Sequence, residues 1–245
     1  MMEALVHRLY ERAVQSPEID LAFLEKAYER HVGGEPETLR EDFCGTALMS
    51  ARWVESDPDR RALGVDLDPA VLARADDHGL DDEERERLEL RREDVRWRSP
   101  EAYDLVVAMN FSWAVLDDAA LDEYLASARA CCDGLLALEL FGGSGLEVPG
   151  RTEHPLDGFT YAWTQQAFDG RHLDATLSFA TDDGRRFDDA FRYRFVLRPV
   201  DEVEARLRRA GFEHTALYVE DARGVRRLRK KPPKSSIWRG FLLAW

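Results

Sequence analysis

Residues 38–68 read TLREDFCGTALMSARWVESDPDRRALGVDLD. Two short apolar runs, at 39–43 and 62–65, flank a helical stretch from Ala47 to about Glu55. That pattern is one βαβ unit whose first turn is Cys44-Gly45-Thr46. The turn opens the helix, so its backbone N–H groups and the positive end of the helix dipole face whatever lies above the strand. Asp66 ends the second strand roughly twenty residues after the turn, where a nucleotide-binding crossover places the carboxylate that meets ribose hydroxyls.

The unit sits in a chain of 245 residues with a formal net charge of −14. That length can bury a sizeable core and is most simply one domain over 1–245. The acidic balance argues against a nucleic-acid surface, which would be basic. Three cysteines, two of them adjacent at Cys131 and Cys132, make neither a disulfide framework nor a CxxC metal pair. A reduced, cytoplasmic setting is the expectation. No apolar run reaches membrane-spanning length, and the N-terminus lacks the apolar core of a signal peptide. No internal repeat is visible.

Before the unit lie two helical patterns, making an N-terminal section of 1–34. Residues 2–15 carry Leu5, Leu9, Tyr10 and Val14 on one face. Ser16-Pro17 then reads as an N-cap with proline at the first helical position, opening a helix to about His31 that Gly33-Gly34 ends. The pair either lies over a ligand or simply packs on the sheet. After the unit, Asp68-Pro69 caps a helix through about Asp77, and the charge run 81–87 reads as a solvated face or turn. Strand 88–92 leads to Glu93-Asp94-Val95. The run 103–109, YDLVVAM, is continuously apolar at its centre, as a buried parallel strand requires. A helix over 117–131 and a fifth strand over 134–141 follow. Strict alternation to this point is the signature of a parallel, doubly wound sheet.

The pattern then changes. Runs 159–165, 172–180 and 187–197 alternate with aromatic and β-branched residues, separated by turns at Asp169-Gly170 and Asp182-Asp183-Gly184. They predict an antiparallel insertion of three strands over about 152–198. A helix over 201–210 closed by Gly211, a strand over 212–219, a basic mobile loop over 221–234 and a last strand over 237–244 complete the chain.

EDFCGTA resembles the first motif of class I S-adenosylmethionine (SAM)-dependent methyltransferases, an acidic residue followed by GxGxG. Glu41 aligns with the acid and Gly45 with the central glycine; Phe43 and Ala47 replace the outer two. The resemblance implies a three-layer α/β/α sandwich around a mostly parallel, seven-stranded Rossmann-like sheet, with the last strand antiparallel between the fifth and sixth. It implies SAM as cofactor and S-adenosylhomocysteine (SAH) as product. By the same resemblance Glu41, Phe43, Cys44, Gly45 and Thr46 form the cofactor turn, and Asp66 holds the ribose. Leu67 packs on adenine, Asp94 accepts from the adenine amino group, and the Val95 N–H meets the ring, with Glu93 an alternative one residue away. Asn110, at the head of Asn110-Phe111-Ser112-Trp113, occupies the position where some amino-group methyltransferases hold their target nitrogen, although the prolines of that motif are missing.

Catalytic candidates beyond the cofactor residues are Asn110, His154 and His172. Each has a plainer reading: a turn-capping amide for Asn110, a surface or hairpin histidine for the others. Six histidines lie scattered without an HxxxH or HExxH pair, so no metal is expected. Cys44 reads as a small residue used through its backbone rather than as a nucleophile. The insertion carries aromatics that include Tyr161, Trp163, Phe179 and Tyr193; most of the set reads as structural, and the remainder as lining a small-molecule pocket or a dimer contact. The basic run 226–231 reads as solvated. The function expected is methyl transfer to a small-molecule acceptor by a monomer or homodimer that engages neither membrane nor nucleic acid. A non-catalytic SAM-binding regulatory or assembly module is the alternative. A dinucleotide-dependent oxidoreductase is disfavoured, because Phe43 and Ala47 would crowd a pyrophosphate.

Overall fold

The computed structural model describes residues 2–221, 224–228 and 237–245. The βαβ unit forms as read: β1 (Thr38–Asp42), α3 (Leu48–Ser56) and β2 (Arg61–Asp66). Ahead of it lie α1 (Met2–Val14) and α2 (Pro17–His31). After it come α4 (Pro69–Leu72), which runs on as a 3₁₀ turn to His78, then α5 (Asp82–Glu86) and β3 (Leu88–Arg92). The charge run thus holds a short helix. A reciprocal capping box between Asp81 and Glu84 supplies its start. β4 (Tyr103–Ala108), α6 (Asp118–Cys131) and β5 (Cys132–Gly142) continue the alternation.

Among the described residues the central sheet has eight strands in the order β11-β10-β12-β5-β4-β1-β2-β3. Here β10 is Thr215–Asp221, β11 is Gly224–Arg227 and β12 is Trp238–Ala244. β1 pairs parallel with β2 on one side and with β4 on the other. Strand order therefore reverses at β1, the place where open α/β sheets hold ligands. At the opposite end of β1, Asp104 Oδ2 accepts from the N–H groups of Glu37 and Thr38, each at 2.9 Å, and ties β1 to β4. β12 runs antiparallel between β5 and β10. The eighth strand, β11, corrects the reading of 221–234 as loop throughout: the chain turns at Gly224 and Arg227 returns opposite Tyr218. Residues 222–223 and 229–234 of that expected loop lie outside the described residues.

Helices cover both faces, giving three layers. Leu21, Leu24 and Tyr28 of α2 pack with Met49, Trp53 and Val54 of α3 on one face. Leu121, Tyr124 and Leu125 of α6 pack with Val203 and Leu207 of α7 (Val200–Ala210) on the other. These apolar side chains leave water almost completely, which supplies the main driving force for the assembly.

The insertion is a four-stranded antiparallel sheet in the order β6-β7-β8-β9. Its strands are β6 (Gly150–Leu156), β7 (Phe159–Phe168), β8 (His172–Thr181) and β9 (Arg186–Val196). The expected three strands lacked β6. That strand, GRTEHPL, is exposed along its whole length and carries a proline, so it has no apolar alternation to read. Phe159, Leu177 and Phe179 on one face of the sheet pack with Leu9 of α1. The two N-terminal helices therefore do different work: α2 packs on the central sheet, and α1 packs on the insertion. Among the described residues, no helix is long and apolar enough to cross a membrane.

Candidate active site

The turn after β1 keeps a glycine-type backbone where two of its glycines are replaced. Phe43, Gly45 and Ala47 have φ of 59°, 56° and 59°. Phe43 is accommodated because its ring lies edge-on to Tyr124, 5.7 Å between centroids, against the core below α6. Ala47 is small and fully buried. A Cβ built on Gly45 would meet only Val71 Cγ1, at 3.7 Å, so the space in front of this residue is open. Cys44 is 2% exposed and tucked beneath the turn toward Gly64. Burial pushes its thiol well above the ordinary range, which removes it as a nucleophile.

Hydrogen bonds from several elements hold the turn. Glu41 is buried on β1 and accepts from the Ser50 N–H at 2.9 Å and the Ser50 hydroxyl at 2.6 Å, fastening the start of α3. Burial pushes the Glu41 carboxyl up to about 7, against the opposing pull of Ser50. Asp66, at the end of β2, accepts from the Gly45 N–H at 2.9 Å and through its other oxygen from the Asp68 N–H at 3.0 Å. The Thr46 hydroxyl donates to Glu11 Oε1 of α1 at 2.5 Å, and His78 Nε2 donates to the Thr46 carbonyl at 2.7 Å. The end of α1 is thereby latched over the turn.

Leu67 follows Asp66 and is 62% exposed, unusual for leucine at a sheet end. Asp94 follows β3 and is gripped by Arg96, whose Nε and Nη2 lie 2.9 and 2.7 Å from its two oxygens. That pairing holds the Asp94 carboxyl below the usual range. Glu93 turns back on the chain, accepting from the Asp94 N–H at 3.1 Å. Val95 is buried, and its carbonyl accepts from Arg40 Nη2 at 3.0 Å. Arg40, wholly buried on β1, also pairs with Asp42 at 2.8 Å. It connects the strand that starts the turn to the loop that carries Asp94.

A cavity of about 440 Å³ opens between α1, the ends of β4, β5 and β12, and the insertion. Tyr10, Asn110, Phe111, His154, Tyr161, Trp163 and Tyr193 are among its lining residues. Asn110 and Phe111 both have positive φ, 53° and 59°, so the chain bends sharply as it leaves β4. His154 stacks on Tyr161 with centroids 4.6 Å apart. His172 is elsewhere, at the turn between β7 and β8, with Nδ1 3.0 Å from Asp169 Oδ2. It does not line this cavity.

The floor holds residues that the sequence reading did not single out. Glu139 of β5 is 2% exposed and accepts from the Asn110 N–H at 2.6 Å. Arg239 Nε of β12 lies 3.3 Å from Glu139 Oε1 and 2.7 Å from Glu220 Oε2, and its Nη2 lies 3.8 Å from Asp20 Oδ1. Burial pushes Glu139 up to about 7 and Asp20 up to about 6, each opposed by Arg239. The available signal was the lone acid in the apolar strand GLLALELF, since a charged residue in a buried run marks a functional candidate.

A Rossmann-like sheet with a glycine turn and a strand-end carboxylate at its switch point defines a doubly wound α/β fold. Comparison with solved structures narrows the class: the chain has the fold of the SAM-dependent methyltransferases. A SAM-dependent methyltransferase from Clostridium acetobutylicum is 17% identical, with TM-score 0.69, over 97% of this chain and 96% of that one. SAM-bound CalS10 from Micromonospora echinaspora, an amino pentose methyltransferase, is 19% identical, with TM-score 0.71, over 98% and 95%. The CcbJ methyltransferase from Streptomyces caelestis is 14% identical, with TM-score 0.63, over 85% and 89%. No protein-family model matches this chain, and no curated protein matches it in sequence.

The residues at the turn fit SAM. Asp66 retains lone pairs for a ribose diol, Leu67 offers an exposed apolar face to a base, and the space before Gly45 admits a ligand against the backbone. No phosphate need be cradled, which is consistent with Phe43 and Ala47 in place of glycine.

Proposed function

We propose that this chain is a SAM-dependent methyltransferase acting on a small organic acceptor. The observation that carries the reading is that a glycine turn closed by Asp66 follows β1 and the Asn110 that lines the aromatic cavity follows β4, its parallel neighbour, so both leave the same edge of the sheet. When bound, SAM supplies a methyl group on a sulfonium, already an activated leaving group. The chain's residues bind, orient and exclude water. Glu41 holds the turn to α3. Asp66 takes the ribose, Leu67 and Val95 the adenine ring, and Asp94 the adenine amino group once Arg96 shares one oxygen. The backbone of Phe43 to Thr46 faces the amino-acid portion. Asn110 bends the chain so that its amide and the carbonyls after β4 meet the acceptor, and α1 with the insertion covers it. Positioning of this kind accounts for most of the acceleration expected of such an enzyme.

An aromatic cavity with few polar anchors suits a small molecule rather than a polyanion. The amino pentose substrate class in the name of CalS10 agrees with that scale. Three free, buried cysteines support a reducing, cytoplasmic setting. Calorimetric titration with SAM and with NAD, followed by a screen of cell extracts for a methylated product, tests the proposal. SAM and SAH are expected to bind in the micromolar range and NAD not at all. Trp163→Ala is expected to leave SAM binding within about twofold and to reduce transfer at least tenfold. SAM binding without transfer to any fraction would instead support the non-catalytic module.

A further inference from the structure

We infer that the cavity is built for an acceptor carrying a protonated amine, and that Glu139 meets its charge and receives its proton. The inference rests on the methyl-transfer reading and names its acceptor class. The walls include the rings of Tyr10, Phe111, Tyr161, Trp163 and Tyr193. Aromatic faces carry negative quadrupole potential and attract an organic cation, more strongly when it is desolvated. The floor carries an excess of acid. One guanidinium, Arg239, is met by three carboxylates, Glu139, Glu220 and Asp20, at 3.3, 2.7 and 3.8 Å. Glu139 and Asp20 are buried and Glu220 is exposed, so with all ionised the cluster is net negative at its buried end, and an ammonium entering above Glu139 would offset that charge.

The acidity also matches. A carboxyl raised to about 7 is a poor base toward an alcohol but a usable one toward an ammonium, whose proton leaves near pH 10.4 in the lysine side chain. The Asn110 N–H, 2.6 Å from Oε2, holds the carboxylate at the edge of the sheet where the glycine turn also lies. The ammonium proton passes to Glu139. The freed nitrogen lone pair forms the bond to the methyl carbon of the sulfonium donor, the carbon–sulfur pair returns to sulfur, and the positive charge ends on the methylated nitrogen.

The test uses the full chain saturated with SAH. It is titrated calorimetrically with choline and with the neutral carbon isostere 3,3-dimethylbutan-1-ol. At pH 8 choline is expected to bind at least tenfold more tightly than the alcohol. In Glu139→Gln the preference is expected to fall below about threefold while SAH affinity is kept. In the unaltered protein choline binding should weaken from pH 8 to pH 6 as Glu139 takes up a proton. The groups facing Glu139 during that titration are Arg239 of β12, Glu220 of β10, Asp20 of α2, Tyr10 of α1 and the Asn110 N–H. His154 lines the same cavity, so His154→Gln is titrated in parallel and should retain the pH response. Equal affinity for the two probes, no choline binding by protein that binds SAH, a preference that survives Glu139→Gln, or a pH response lost with His154→Gln would each overturn the inference. Failure of SAH itself to bind would overturn the methyltransferase reading instead. If Glu139→Gln does not fold, the isostere comparison and the pH response of the unaltered protein decide.

Discussion

The peptide N–H of Gly45 donates to Asp66 Oδ2 at 2.9 Å. One strand-end carboxylate thus fastens the turn after β1 to the end of β2. The same group is the one proposed to hold the ribose, so a single side chain would shape the turn and bind in front of it.

Asp66→Ala should therefore weaken SAM binding on the order of tenfold to a hundredfold. Losing a charge-assisted hydrogen bond at a partly buried site costs about 1.5–3 kcal/mol. Asp66→Asn, which keeps an acceptor oxygen, should lose less. Calorimetry on folded variants decides, and unchanged affinity in Asp66→Ala would place the ribose elsewhere.

Gly45 separates backbone strain from ligand approach. Phe43 and Ala47 hold nearly the same left-handed backbone with side chains attached, so conformation alone does not demand glycine at 45. A Cβ there meets nothing closer than 3.7 Å within the protein. Gly45→Val should consequently fold with a loss of about 1–2 kcal/mol from strain and should abolish SAM binding by occupying the ligand's path. A valine variant that binds SAM normally would show that the cofactor does not approach this backbone.

Arg40 and Asp42 form a wholly buried pair, and Arg40 Nη2 also donates to the Val95 carbonyl. Arg40→Leu strands a buried carboxylate and should destabilise the protein by about 3–5 kcal/mol in urea melts. Arg40→Leu combined with Asp42→Leu should recover more than half of that loss. If the single variant melts like the parent, Asp42 is not ionised in the fold.

Stability should fall as pH rises from 5 to 8. Burial is the leading cause for four raised carboxyls: Glu41 and Glu139 up to about 7, Asp42 and Asp20 up to about 6. The folded chain keeps protons there that the unfolded chain has already released, so their contribution is full below the ordinary carboxylate range and is lost as pH climbs through 6 and 7. Carboxyls held low by arginines, such as Asp94 and Glu202, act in the opposite sense only below that window. Scanning calorimetry should record a falling Tm, about 2–4 °C for each kcal/mol in a chain of this size, and Glu41→Gln should flatten the slope. A Tm that rises across this range would contradict the assignment.

Much of the fold was legible because it depends on local periodicity. Continuous apolar runs such as LVVA at 105–108, with helical faces between them, specify buried parallel strands wherever they occur. The glycine turn and Asp66 were legible for the same reason, as residues whose meaning comes from the strand they end. β6 was not, since an exposed edge strand is held by pairing with β7 and carries no apolar signal of its own. Nor was β11, a short return along β10.

By itself the sequence determined the alternation of strands and helices through β5, and the place of the glycine turn and of the acids at the strand ends near it. Only the tertiary structure decided which of them share a site. It separated α1 from α2, put His154 on the cavity and His172 at another turn, and gathered Glu139, Glu220 and Asp20 around Arg239 from four elements. The physical reason is range. A helix or strand is written in residues a few positions apart, whereas burial and the field at a carboxylate depend on groups far away in the chain that only packing brings together.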